Sequence, residues 1–175
     1  DYYEIYKPDI AVILGDRFEM FAAASAAMIA RVPVAHIHGG ELTEGLIDEA
    51  IRHSITKMSY LHFCAASEYR KRVIQLGEEP CNVYNVGALG VENIKKLPLL
   101  NKYQLEKSIG FPMEGKVLMV TYHPVTLDGP VSGEQFGNLL EVLSEYKNFR
   151  IIFTKSNADT DGRVINGMID KKKKK

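Results

Sequence analysis

The 175 residues contain only two cysteines, Cys64 and Cys81, too few for a disulfide framework and not spaced as a Cys-x-x-Cys metal knuckle. That scarcity points to a reducing compartment, the cytoplasm. No apolar run reaches the roughly 20 residues that a membrane-spanning helix needs; the longest, Met20 to Ile29, is short and rich in alanine. Nor does a secretory leader open the chain, because Asp1-Tyr2-Tyr3-Glu4 is acidic and aromatic where a basic and then an apolar stretch would stand. The reading is a soluble intracellular protein without a membrane partner.

An excess of positive charge is also lacking. Lys and Arg number 22, as do Asp and Glu, and five of the basic residues form the closing run Lys171 to Lys175, so the rest of the chain carries a net charge of −5. This balance argues against a nucleic-acid partner. The lysine run, residues 171–175, reads as a solvated tail or an appended end and receives no function. Neither Gly-x-Ser-x-Gly nor Gly-x-x-x-x-Gly-Lys occurs, and Ser67 reads as a helix cap, not a nucleophile.

What is present is the composition of a globular α/β protein, 46% hydrophobic and 25% charged. Short apolar runs alternate with helical patterns. Residues 10–14, 34–37, 61–64 and 83–86 read as strands, the first unbroken in its apolarity as a strand covered on both faces should be. Helices are expected over residues 18–30, 47–58 and 67–76, the last with Ser67 as its cap and Gly77 as its stop. This βα alternation implies a parallel sheet with right-handed crossovers. After Gly87 the pattern pauses. A short helix over 102–109, a strand over 116–121, a helix over 135–147, a strand over 150–153 and a final helix make a second series. The expected domains are 1–90, a linker 91–100, and 101–170. Two strands cannot cover their own faces as a domain, so the chain reads as a fragment of a longer protein.

In open parallel sheets ligands bind at the carboxyl ends of the strands, and the unusual residues collect there. Asp16 and Arg17 follow the first strand; His36, His38 and Glu41 end the second; His123 ends the first strand of the second series; Asn157 and Asp159 end the next. Together they suggest a small-ligand site in a cleft between two domains. On a strand His36 and His38 share a face, and Gly39-Gly40 lets Glu41 turn back, so this group beside Asp16 also suits a metal ion, against acid–base work or plain hydrogen bonding. Asp48 and Glu49 either offset the dipole of the helix they open or serve proton transfer. Glu49 shares a helical face with Arg52 and His53. His53 faces either that cleft or solvent, and His62, inside a strand, reads as a hydrogen-bonded core residue.

Four motifs stand in order: Gly15-Asp16-Arg17-Phe18-Glu19, His36-Ile37-His38-Gly39-Gly40-Glu41, the stretch Ile47 to Lys57, and His123-Pro124-Val125-Thr126. Over about residues 9–165 the chain resembles the hydrolysing UDP-N-acetylglucosamine 2-epimerases, in particular the branch serving sialic or legionaminic acid biosynthesis. The resemblance implies a glycosyltransferase-B-like fold of two Rossmann-like domains, with this chain as its middle portion. It implies a UDP-sugar substrate, either UDP-N-acetylglucosamine or a diacetylated 6-deoxy analogue, no cofactor, no metal, and a homo-oligomer, dimer or tetramer. The rivals are a retaining glycosyltransferase of the same fold, a metal-dependent phosphohydrolase and a non-catalytic binding module.

The same resemblance implies removal of the C2 proton with expulsion of UDP from C1, then addition of water to the glycal with inversion at C2. Asp16, His38, Glu41, Glu49 and His123 would be catalytic, and Arg17, His36, Asp48, Arg52 and Asn157 would bind substrate. A carboxylate is a weak base for a carbon acid, so partial burial among like charges would have to strengthen one of Asp16, Glu41 and Glu49. Many relatives carry a glutamate where this chain has His38. The base is then His38, whose imidazole type titrates near neutrality, or Glu41. The expectation is Glu41, with His38 orienting it.

Overall fold

The computed structural model describes residues 2–125, 131–157 and 160–172. The chain divides into two units, Asp1–Leu97 and Pro98–Lys175. In the first, α1 (Tyr2–Tyr6), β1 (Ala11–Leu14), α2 (Phe18–Ile29), β2 (Val34–Ile37), α3 (Asp48–Met58), β3 (Leu61–Cys64), α4 (Ser67–Gln75), β4 (Val83–Asn85) and α5 (Leu89–Lys96) follow in order. The four strands are parallel, in the order β1-β2-β3-β4. Parallel neighbours require a crossover, which α2, α3 and α4 provide.

The core explains the alanines of α2. Ala24 and Ala27 have no exposed surface and bring α2 close to Ile55 of α3 and to Ala11, Ile13, Val32 and Val34. Truncating Ile55, itself fully buried, to Ala would cost about 2–5 kcal/mol by the usual transfer and cavity terms. On the far side of the sheet order, Val73 of α4 packs on Cys64 and Val83. A strand covered on both faces describes β2, where Val34, Ala35 and His36 are all buried. It does not describe β1. That strand lies at the sheet edge, and Val12 and Leu14 are 63% and 52% exposed.

Two local expectations change. The residue entering α4 in extended conformation is Ala66, with no side-chain cap, and Ser67 is already helical. Residues 89–96, partly expected as linker, form α5. The Glu92–Lys96 pair spans one turn of it, Lys95 and Lys96 favour its carboxyl end, and Pro98 forces Leu97 out of the helical region (ψ 134).

The second unit comprises α6 (Lys102–Ile109), β5 (Lys116–Val120), α7 (Ser132–Glu145), β6 (Phe149–Phe153) and α8 (Thr160–Lys172). Asn101 and Gln104 form a reciprocal capping box at the start of α6, and Gly110, at φ 64, ends it. β5 and β6 pair in parallel, and Phe136, Leu140, Ile165 and Ile169 make the core between α7 and α8. Of the lysine run, Lys171 and Lys172 belong to the last turn of α8.

Candidate active site

β2 ends at Ile37, and the chain then turns sharply. His38 takes φ 68 and Gly40 φ 83, both in the left-handed region. The His38 amide still donates to the Phe63 carbonyl at 2.9 Å, but its side chain has left the alternation of the strand. A Cβ on Gly40 would lie 2.4 Å from the Tyr69 carbonyl oxygen of α4, and Arg72 donates to the Gly40 carbonyl. His36 and His38, expected on one face, are therefore separated. His36 is wholly buried, whereas His38 remains 23% exposed.

This turn brings His38 onto Glu41. Nδ1 of His38 stands 2.8 Å from Oε1 of Glu41. A carboxylate can only accept, so Nδ1 carries the proton and Nε2 of the neutral ring offers a lone pair.

Beneath the turn lies Arg52 of α3, only 3% exposed. Its Nε donates to Oδ2 of Asp16 at 2.8 Å and its Nη2 to the same oxygen; Nη1 donates to the Glu41 carbonyl at 2.7 Å, and Nη2 to Oγ1 of Thr43 at 2.9 Å. One turn earlier, Oε2 of Glu49 accepts the Thr43 amide at 2.9 Å. The first turn of α3, opened by Asp48, thus holds the loop that follows Glu41.

His36 acts in a similar way deeper down. Nε2 donates to the Gly15 carbonyl at 2.8 Å, which leaves Nδ1 as an acceptor 3.2 Å from the Thr56 hydroxyl. Burial lowers its pKa from 6.5 to about 4, against the opposing effect of the Gly15 bond. The ring also sets the room above it, since a Cβ on Gly39 would lie 3.0 Å from Nδ1. His36 therefore ties the end of β1 to α3 from inside the fold.

The remaining expected residues, apart from His62, are less enclosed. Arg17, 42% exposed, donates through Nε and Nη2 to Glu19 at 3.2 and 3.0 Å. Nε2 of His53 is 3.9 Å from Oε1 of Glu49, its Nδ1 is buried without a partner, and burial lowers its pKa. His62 is a core residue whose Nε2 lies 3.2 Å from Oε2 of Glu78, and burial lowers its pKa although the pairing with Glu78 opposes the shift. In the second unit, His123 and Asn157 are exposed just past the carboxyl ends of β5 and β6. Those ends are joined by Thr154 donating to the Thr121 hydroxyl at 2.7 Å and by Ser156 donating to the Tyr122 carbonyl. Thr126 and Asp159 lie outside the described residues.

Thr43, Thr56 and Ser156 were not singled out from the sequence. A threonine two residues beyond a motif, as Thr43 is, carries no signal until the loop closes on its partner. Among the described residues no three His, Cys, Asp or Glu side chains gather as a metal site would require. An open hollow of about 430 Å³ lies between the loop at Thr43 to Leu46 and the α3 face bearing Glu49, Ala50 and His53. A second, of about 420 Å³, is an apolar groove beside β6 lined by Ile109, Phe111, Ile151 and Ile169, distant in character from any proton chemistry.

Parallel sheets with an imidazole–carboxylate pair, a buried arginine and a second carboxylate at adjoining strand ends define an α/β protein with the features of a small-ligand site. The chain belongs to the UDP-N-acetylglucosamine 2-epimerase family, whose model matches residues 1–175. It is 46% identical over 169 residues to the GDP/UDP-N,N'-diacetylbacillosamine 2-epimerase (hydrolyzing) of Campylobacter jejuni, covering 97% of this chain and 44% of that protein. It is also 46% identical over 166 residues to the polysialic acid biosynthesis protein P7 of Escherichia coli, covering 94% and 42%. The crystal structure of the UDP-GlcNAc 2-epimerase of Neisseria meningitidis bound to UDP-GlcNAc aligns with a TM-score of 0.71 at 22% identity, over 97% of this chain and 48% of that one. That likeness establishes the glycosyltransferase-B-like fold. The chain spans less than half the length of the curated relatives it matches. No helix among the described residues is long and apolar enough to cross a membrane.

Proposed function

We propose that the whole protein is a hydrolysing 2-epimerase that converts a UDP-2-acetamido sugar to UDP and the free sugar inverted at C2. The observation that carries this reading is the His38–Glu41 pair beside Asp16. Inversion requires that a proton leave one face of C2 and return to the other, so two side chains must exchange protons with that carbon. Nε2 of His38 serves one face and Oδ1 of Asp16 the other, and one of the two begins turnover protonated. As the C2 proton leaves, its bonding pair forms the C1–C2 double bond, and the C1–O pair departs with the diphosphate. Water then supplies hydroxyl to C1 while the second group protonates C2; the remaining proton of that water recharges the second group, and the proton taken from C2 passes from the first group to solvent. Glu41 orients His38 and stabilises its protonated ring, which reverses the order expected from the sequence.

His123 and Asn157 take the nucleotide end of the substrate, His123 as a donor to the departing diphosphate. The likeness to the Campylobacter protein favours a diacetylated 6-deoxy sugar over N-acetylglucosamine.

The test is turnover by the full-length enzyme in deuterium oxide, with each UDP-sugar supplied and no acceptor. Free UDP with a C2-inverted sugar carrying deuterium at C2 is the expected result. Product lacking deuterium at C2 would overturn the elimination, and a requirement for an acceptor would make the protein a glycosyltransferase.

A further inference from the structure

Arginine beside a UDP-sugar site is ordinarily assigned to the diphosphate, and the sequence places Arg52 among the substrate ligands. The geometry points to a different role, in which Arg52 is a positioning residue that locks Asp16 to the Glu41 loop, so that the two proton-exchanging side chains are held as one unit. This inference rests on the epimerase reading of the same site.

The donor inventory decides it. A guanidinium has five N–H groups in a rigid planar fork. Four contacts already engage that of Arg52, to Oδ2 of Asp16 from two nitrogens, to the Glu41 carbonyl and to the Thr43 hydroxyl. Its side chain is only 4% exposed, so a diphosphate would meet almost none of it. The contacts also reach across the fold. Asp16 follows β1, whereas Glu41 and Thr43 follow β2, and the whole of α2 and β2 lies between these two loops along the chain. Both donors that meet Asp16 choose the same oxygen, Oδ2, which fixes the carboxylate plane and leaves Oδ1 outside the clamp. Through the Glu41 carbonyl the same cation sets the backbone from which the Glu41 side chain reaches His38 at 2.8 Å. Thr43 completes the clamp, receiving Arg52 on its hydroxyl and giving its amide to Glu49.

Misplacing a proton-exchanging group by about 1 Å can reduce turnover by roughly 10²-fold without weakening substrate binding. In the full-length enzyme, Arg52→Lys keeps the charge but replaces the fork by a point donor, and kcat should fall by roughly 10²-fold while KM changes by less than about threefold. Thr43→Val removes only the hydroxyl contact and should lower kcat by about tenfold, with Thr43→Ser restoring it to within about twofold. A rise in KM at constant kcat in Arg52→Lys would return Arg52 to the substrate, and equal kcat for Thr43→Val and wild type would break the proposed coupling. Amide exchange of residues 41–43 supplies a readout independent of the chemistry. Exchange there should accelerate in both Arg52→Lys and Asp16→Asn. Unchanged exchange in both overturns the clamp, whereas accelerated exchange in an enzyme whose wild type turns over no UDP-sugar overturns the epimerase reading alone.

Discussion

Nδ1 of His38 and Oε1 of Glu41 face each other at 2.8 Å across a turn of two glycines. The pairing leaves Nε2 of the ring on the side away from the carboxylate, and in the proposed mechanism this nitrogen exchanges the proton while Glu41 supports the ring. The two residues stand three positions apart in sequence, and the left-handed φ of His38 and of Gly40 turns the chain so that their side chains meet.

From this pair comes an ordered prediction for the full-length enzyme. His38→Asn removes the exchanging nitrogen and should lower kcat by roughly 10²- to 10⁴-fold. Glu41→Gln retains an oxygen to accept from Nδ1 and loses only the charge, so a drop of about tenfold is expected. Steady-state rates with both variants check the order, and the reverse order would restore Glu41 as the base.

His36 should make the first unit sensitive to acid. Burial lowers its pKa from 6.5 to about 4, so between those values the unfolded chain binds a proton that the folded chain refuses. The associated stability is complete above pH 6.5 and is lost progressively as the pH falls toward 4, by roughly 3 kcal/mol in full. Thermal melts of wild type and His36→Asn across this range provide the measurement. The variant should show a shallower slope, with the residue of the slope coming from His53 and His62, whose pKa values burial also lowers. Identical slopes would count against a buried neutral His36.

Gly40 admits no side chain. Its φ of 83 strains any L-residue, and a Cβ would stand 2.4 Å from a main-chain oxygen of α4 that cannot rotate away. Gly40→Ala should destabilise the first unit by roughly 2 kcal/mol or more and disturb the His38–Glu41 pair with it. Urea unfolding gives the stability, and an unchanged midpoint would contradict the packing of α4 on the turn.

For His123 the expectation is kinetic. A donor to the departing diphosphate acts most strongly in the transition state, so His123→Ala should lower kcat by roughly 10²-fold with a smaller effect on KM. An unaltered kcat would remove it from the chemistry.

The parallel α/β architecture could be read from the sequence because its signals are local. Residues 34–37 and 61–64 are strands at the expected bounds, α6 occupies 102–109 as expected, and Asp16, His38 and Glu41 do follow the ends of β1 and β2. These depend on apolar period, turn residues and caps, which act within a few positions of the chain. Whether a strand is covered could not be read in the same way: Val12 is as apolar as Val34, yet β1 lies at the edge and β2 inside. The division of labour among the polar residues was equally out of reach. His36 and His38 differ only in that one precedes and the other follows the end of β2, and Arg52 resembles any exposed helical arginine until Asp16, Glu41 and Thr43 arrive from two other loops. Residue type sets what a side chain can donate or accept. Burial and the partners brought in from distant parts of the chain decide which of those bonds it makes, because a charge or an imidazole removed from water must be met by whatever the fold places within about 3 Å of it.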